Sequence, residues 1–389
     1  MDLTGVRVLD LTRLLPGPYA TQLLADMNAD VVKIEDPDVG DYARDMAPET
    51  PDGVGAIFAA VNDGKRSVTI DLKDDDGREV FYELIADADV VVEGFRPGVA
   101  ERLGVDHESV REHEPDVVYC SLSGYGQTGP YRDRVGHDLN YASVAGLVDM
   151  TRRRADGAPA IPGYPIGDMA GGAFAAFSVV SALLSRALGN REGTYVDVSM
   201  TDTILSFAQP VASAAFAGGD PRPRETELTG KRPCYDVYRT ADDRYVSIAA
   251  LEPKFWQTLC EALERPELVE HHHAEDDAVR QAVRETLAAT FRSKSRAEWE
   301  DELGDRDVTF APVRTPREAI DSSHVEARGL VEDDGTNVPR IGFPATASPP
   351  VQRESADGLP ERGEHTTDVL ESAGVDAARI ESLRDRDVI

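Results

Sequence analysis

The sequence predicts an α/β fold with a parallel sheet covered by helices on both faces, followed by a smaller α/β part. Three observations point there. Short β-rich runs alternate with helical patterns through the first 125 residues. Strand cores such as Val90–Val92 and Val117–Val118 are continuously apolar, as buried parallel strands are. The segment 218–224, GGDPRPR, is dense in Gly and Pro and precedes a hairpin pattern.

Taken in order, Val6–Leu11 reads as a strand and Pro18–Met27 as a helix with apolar residues at helical spacing. Strands follow at Asp30–Glu35, Ser67–Leu72, Asp89–Glu93 and Val117–Leu122. The helix expected over Gly77–Ala86 is preceded by Asp74–Asp76, acids that suit a helix N-terminus. A helix-rich centre covers His137–Met150, Asp168–Ala187 and Ser199–Ala217. Beyond the linker, Cys234–Thr240 and Tyr245–Ala250 flank a polar turn and read as a hairpin. Helices run from Lys254 to Trp299, a strand lies near Val308–Val313, and a Pro-, Gly- and acid-rich tail starts at Glu332. It ends in a helical piece near Val369–Leu383.

The chain has 389 residues, with 72 acidic against 41 basic side chains and a net charge of −31. That balance repels a polyphosphate backbone and excludes general nucleic-acid binding. Only six of the bases are Lys. Repulsion at this density is relieved by concentrated salt, so the expected setting is a cytoplasm with near-molar salt. Three widely spaced cysteines (Cys120, Cys234, Cys260) form neither a disulfide framework nor a metal motif. The N-terminus lacks a signal-peptide layout, and no uninterrupted apolar run reaches membrane-span length; Met169–Leu184 contains Ser and Gly.

Gly124, Gly126 and Gly129 spell GxGxxG, but Pro130 and a charged run follow where a dinucleotide-binding helix would have to start. They read as a tight turn. Asp168 opens a small-residue helix, where an Asp is either an N-cap or a reactive carboxylate beside free backbone N–H groups that could stabilise an oxyanion. His137 and its neighbour Asp138 lie about 30 residues earlier. Glu252 precedes Pro253, as a residue at a helix start does. His271–His273 lacks the spacing of a metal set and reads as solvated. Arg44, Lys65, Arg66, Arg96 and Arg102 concentrate positive charge early in an acidic chain, which points to a phosphorylated ligand.

Together VRVLDLTRLLPGPYATQLLADMNADVVKIE, NDGKRSVTIDLK, VVEGFRPGVAERLG, LSGYGQTGPY, GDMAGGAF, VDVSM and GEHTTDVL resemble the class III CoA-transferase (CaiB/BaiF) family. GHDLNY and YDVYRTADDRYVSIAALEPKFW resemble its α-methylacyl-CoA racemase branch. The resemblance implies an interlocked homodimer whose large Rossmann-like domain is built from both chain ends. Here that gives 1–217 for the large domain, 218–325 for the small one, and 326–389 returning to the large one. It implies that coenzyme A binds only as part of an acyl-CoA substrate, with no permanent cofactor or metal; the absence of nucleic-acid and membrane partners is expected from the charge and hydropathy above. Arg44, Lys65, Arg66, Arg96 and Arg102 would then hold CoA, with Tyr125 and Gly126 near its pantetheine.

Two activities follow from the resemblance. In transferase members the residue matching Asp168 is a nucleophile that passes through an acyl anhydride and an aspartyl-CoA thioester. In racemase members it shares acid/base work with the His of GHDxNY. Racemisation needs groups on both faces of the α-carbon, which His137 and Asp168 would supply, with Glu252 orienting His137. A transferase has no evident use for the His–Glu pair, and no glycine-rich lid follows Gly218–Gly219. The expectation is therefore a racemase of 2-methyl-branched acyl-CoA thioesters, with CoA transfer between carboxylic acids as the alternative.

Overall fold

The computed structural model describes residues 1–154, 156–333, 338–348 and 358–389. They form two compact units: 1–147, 162–208 and 326–389 make the first, and 148–161 with 209–325 make the second.

The first unit is built on a six-stranded sheet in the order β3-β2-β1-β4-β5-β6, with every pair parallel. Its elements in chain order are β1 (Arg7–Leu11), α1 (Pro16–Ala25), β2 (Asp30–Glu35), α2 (Ala56–Val61), β3 (Arg66–Thr69), α3 (Asp75–Ile85) and β4 (Val90–Glu93). There follow α4 (Val99–Leu103), α5 (His107–His113), β5 (Val118–Ser123), α6 (Asp138–Val144), α7 (Leu147–Met150, all but its first residue in the second unit), α8 (Ile166–Ala187), β6 (Thr194–Ser199) and α9 (Met200–Ser206). Leu9, Val32, Val91 and Tyr119 are all buried, and β-sheet register carries one into the next: Leu9 pairs with Val32 and Val91, and Val91 with Tyr119. On one face they meet Val80, Phe81 and Leu84 of α3 together with Leu370 and Leu383 near the C-terminus. Helices α1 and α8 pack together closely because α8 is glycine there. A Cβ on Gly172 would lie 2.5 Å from the Pro16 carbonyl oxygen.

Helix α8 is long and apolar enough to cross a membrane by length and composition. Here one face of it, with Gly167, Ala170, Gly171, Ala175, Ala176 and Val179, is buried inside the first unit, while Phe177 and Leu184 are exposed.

The second unit contains α10 (Gln209–Phe216), the hairpin β7 (Tyr235–Arg239) and β8 (Tyr245–Ala249), α11 (Pro253–Ala262), α12 (Asp277–Phe291), α13 (Arg296–Leu303) and β9 (Phe310–Pro312). Strand β8 is central and antiparallel to both neighbours. Trp256, Leu287, Phe291 and Trp299 fill its core.

Several elements differ from the sequence reading. The helix expected over His137–Met150 divides at Gly146, whose φ of +82° ends α6. Ser199–Ala217 divides before Pro210, which opens a new helix instead of continuing the old one. The units accordingly part at 208/209, not 217/218, and 148–161 joins the second. Strand β6 was not anticipated; its first four residues alternate half-buried and exposed, the weak pattern of a sheet edge. Part of the Pro- and Gly-rich tail expected from Glu332 lies outside the described residues.

Candidate active site

The strand order reverses between β1 and β4, and open parallel sheets hold ligands at the carboxyl ends of the strands beside such a reversal. A cavity of about 650 Å³ lies there, lined by Thr12–Leu14 after β1, Gly94–Pro97 after β4, Leu122–Tyr125 at and after the end of β5, and His137, Tyr141 and Asp168. A second cavity of about 360 Å³ shares Thr12, Arg13 and Phe95 with it and continues over the ends of β2 and β3, past Lys73 and Arg102. The two form one elongated trench.

The turn after β1 is no dinucleotide cradle. Helix α1 begins Pro16-Gly17-Pro18, so two of its first three residues have no N–H to offer a pyrophosphate. The GYGQTG glycines serve packing and turns. A Cβ on Gly124 would sit 2.3 Å from the Tyr141 ring, while Gly126 and Gly129 take positive φ.

Asp168 is the third residue of α8, half-buried in the cavity wall. The amides at this helix start are not free. Oδ1 of Asp138 accepts the Gly167 N–H at 2.6 Å and the Asp168 N–H at 3.2 Å. Asp138 is the first residue of α6, so the cap comes from a different helix. This corrects the expectation of backbone donors waiting for an oxyanion. Burial, and secondarily the Asp138 charge, raise the Asp168 carboxyl to about 6. It is ionised at neutral pH yet more basic than an ordinary carboxylate.

His137 is the exposed N-cap of α6 and lines the same cavity as Asp168. Its backbone N–H donates to Oδ1 of Asn140 at 3.0 Å. Tyr125 stacks edge-on against Tyr141 and Tyr131, with centroids 5.1 and 5.6 Å away, and also lines the cavity. Gly126 lies behind it against Asp197 and Ser199. Arg96 opens onto the Asp168 cavity and Arg102 onto its neighbour. Glu252 belongs to the second unit, where it is the N-cap of α11.

Three expected CoA ligands are committed elsewhere. Lys65 is fully buried, its Nζ donating to Asp10, the Pro18 carbonyl, Thr21 and Asn62 at 2.7–3.1 Å. Arg44 forks onto Glu35 at 2.7 and 2.9 Å, gives a third bond to the Pro360 carbonyl and stacks on Phe58. Arg66 opens β3 and pairs with Asp30, the first residue of β2, at the amino ends of the strands and away from the carboxyl-end cavity. Scarce cations were read as ligand-seeking, but these have carboxylates of their own. His272 likewise departs from the solvated reading: it is buried, bonded through Nε2 to the Ala250 carbonyl at 2.8 Å, and stacked on Trp256.

Sequence reasoning missed what holds the cavity rim. Asp10, Lys33, Lys65 and Asp41 form a buried charge network beneath the end of β1. Burial alone would raise the Asp10 carboxyl, but Lys65 and Lys33 hold it well below the usual range. Lys33 also donates to the Thr12 carbonyl, and Asp41 accepts the Leu14 N–H at 2.9 Å. These bonds fix Leu14 at φ +69°, a strained conformation for a non-glycine residue. Glu93, at the end of β4, accepts the Phe95 N–H at 2.7 Å and so sets the turn carrying Arg96. Burial raises its carboxyl to about 7.

A trench with a basic carboxylate at one end suits an elongated acyl thioester whose carbonyl meets Asp168. Residues 3–366 match the model of CoA-transferase family III, and the chain belongs to that family. It is 35% identical to the succinyl-CoA:mesaconate CoA-transferase of Haloarcula marismortui, over 98% of this chain and 99% of that one. It is 31% identical to the α-methylacyl-CoA racemase of Mus musculus, over 98% and 96%. A crystal structure of a CaiB/BaiF family protein from Brucella suis superposes with a TM-score of 0.81 at 28% identity, covering 95% of this chain and 98% of that one. Other relatives also carry CoA-transferase names.

Proposed function

We propose that this chain moves coenzyme A from an acyl-CoA thioester to a free carboxylic acid, with Asp168 as nucleophile. The observation that carries this reading is the half-buried Asp168 carboxylate, raised to about 6, facing the elongated trench. Both readings drew on the α8 amides as oxyanion donors, and since the Gly167 and Asp168 amides are bonded to Asp138 another donor must take that part. The transferase names among the relatives add support.

In this reading an Asp168 oxygen attacks the thioester carbonyl, the C–S bond breaks, and CoA thiolate leaves an acyl–aspartyl anhydride. The thiolate then attacks the aspartyl carbonyl, releasing the donor acid as carboxylate and forming aspartyl-CoA. The acceptor carboxylate attacks that thioester to form a second anhydride, expelling thiolate again. Attack of the thiolate on the acceptor's acyl carbon completes the new acyl-CoA and frees Asp168, with no net proton change. His137 donates to the carbonyl oxygen as it gains charge. The nucleotide end of CoA runs into the cavity lined by Arg102, with Arg13 between; Lys73 in the same wall is paired with Asp36 at 2.9 Å. Hydroxylamine during turnover should inactivate the enzyme and leave a hydroxamate at Asp168 in the peptide map.

The racemase reading keeps one observation in its favour: His137 and Asp168 line one cavity. Incubation of a 2-methylacyl-CoA in D2O without acceptor acid separates the two. Deuterium gain at the α-carbon with loss of chirality would establish racemisation, and its absence together with strict acceptor dependence would establish transfer. The homodimer and the high-salt setting belong to the same proposal. A monomeric mass in molar KCl would contradict the first, and a melting temperature that does not rise with KCl the second.

A further inference from the structure

The turn after β4 is a wall between two cavities. In front of it lies the Asp168 cavity. Behind it is a smaller one of about 230 Å³, walled by the acids Glu93, Glu101, Asp106 and Glu108. Arg96 and Pro97 line both. The backbone of this turn is fixed: Pro97 disfavours a helical conformation at Arg96, the Arg96 carbonyl accepts the Val99 N–H at 3.0 Å, and Glu93 accepts the Phe95 N–H at 2.7 Å. What remains free is the side to which the Arg96 side chain turns. In this structure its charge acts on the Tyr141 hydroxyl, in the wall of the front cavity.

Glu93 stands at the end of a cross-strand row. The register sets it beside Ser121 of β5, and Ser121 beside Asp197 of β6. Its carboxyl is buried, and the groups acting on it are the Ser121 hydroxyl, the Phe95 N–H and the Asp197 charge, which opposes its ionisation. Asp197 itself accepts the Gln127 N–H at 3.0 Å. Tyr119 and Tyr195 face the rear cavity from β5 and β6, Glu101 from α4, and Asp106, His107 and Glu108 from the start of α5; the Cys120 thiol also feels the Glu93 charge. His107 lies 3.4 Å from Glu108. Among these described residues none is a fixed cation, and a buried carboxylate without one is costly. The guanidinium that lines the same cavity is close by in the chain. Phe95, whose N–H sits on the Glu93 carboxyl, adjoins Arg96, so a change of rotamer brings the two charges together.

Resting on the reading that CoA occupies the trench, we propose that Arg96 has two stations and that Glu93 selects between them: with Glu93 protonated the guanidinium faces the trench and holds CoA, and with Glu93 ionised it turns into the rear cavity and releases its hold. Glu93 is thereby a positioning residue for CoA binding. Burial raises its carboxyl to about 7, so the selection falls at neutral pH. The ligand favours the protonated form, so binding takes up a proton and affinity falls as pH rises.

Calorimetry of CoA binding to the whole protein in molar KCl, from pH 5 to 8, tests this. Glu93→Gln keeps an oxygen for the Phe95 N–H and stays neutral. The ratio of wild-type to E93Q dissociation constants cancels the titrations of the ligand, Asp168 and His107. It should be near one at pH 5 and reach roughly ten at pH 8, the scale of one charge-assisted hydrogen bond. Near pH 7 the wild type should take up a fraction of a proton more than E93Q on binding, read from the heats in buffers of different ionisation enthalpy. R96A should bind CoA more weakly at pH 5, and the ratio of R96A to E93Q/R96A should stay near one at pH 8. A wild-type ratio that stays near one at pH 8, or a rise that persists without Arg96, would overturn the proposal and leave CoA in the trench. Absence of CoA binding to wild type and E93Q at every pH would overturn the CoA reading itself.

Discussion

Replacing Asp138 by asparagine isolates the charge that tunes Asp168 from the hydrogen bonds that cap α8. Asparagine keeps an Oδ1 for the Gly167 and Asp168 N–H groups and loses the negative charge. The Asp168 carboxyl titrates at about 6 in place of 3.8, so its ionisation is about 3 kcal/mol costlier than in water. Burial is the larger cause and Asp138 the smaller, which limits the Asp138 share to about 1.5 kcal/mol, a tenfold change in the ionisation constant. The assay is the rate of hydroxylamine-trappable adduct formation in a single turnover as a function of pH. Because the nucleophile must be ionised, the wild-type rate rises with pH and is half-maximal near pH 6. In Asp138→Asn the midpoint moves down by up to about one pH unit. The plateau falls somewhat, since a less basic carboxylate is a weaker nucleophile. Asp138→Ala should show the same shift plus a loss of about 1 kcal/mol in stability from the missing cap. A midpoint that stays put or moves up in Asp138→Asn would refute the electrostatic reasoning.

The other predictions concern the scaffold. Glu93 keeps its proton to about pH 7 against 4.5 in an ordinary setting, so the folded chain binds the extra proton between those values and stability falls as pH rises through them. Glu93→Gln should remove that fall: denaturant titrations should show it about 3 kcal/mol more stable than wild type at pH 8 and equal at pH 4, and a pH-independent difference would contradict this. Lys65→Met strands the buried Asp10 carboxylate and should cost about 3–5 kcal/mol. A variant with an intact melting temperature but a raised KM for acyl-CoA would restore Lys65 to phosphate binding. Gly124→Ala pushes a methyl into the Tyr141 ring and should cost about 1–3 kcal/mol, read as a lowered melting midpoint.

Much of the sheet was legible because its strands are buried on both faces. Val90–Glu93 carries enough continuous apolar character to be bounded without help from its partners. Strand β6 pairs with β5 alone, so half its side chains meet water and its pattern is diluted. The head of α8 was visible from the Asp and the small residues behind it. Its cap was not, since Asp138 lies 30 residues away and no local rule joins them. The basic residues show the limit most clearly. Arg44 and Lys65 looked like phosphate ligands because cations are scarce, yet Glu35 and Asp10 already pair with them, 9 and 55 residues distant. Charge counting reports how many cations exist; only the fold reveals which of them have been left without a counter-charge.

The outer edge of β3 is finished by residues from the far end of the chain. The Ser67 and Thr69 N–H groups donate to His365 and Thr366 side chains, and the Asp71 N–H to the Val388 carbonyl. Ser67 and His365 are separated by 298 positions, so at roughly 5–20 residues per second translation leaves this strand uncovered for about 15–60 s. Throughout that interval each nascent chain presents a raw β-ladder to its neighbours on the same message. Slowed elongation in the second half of the coding sequence should therefore lower the soluble yield even when the finished protein is unaltered.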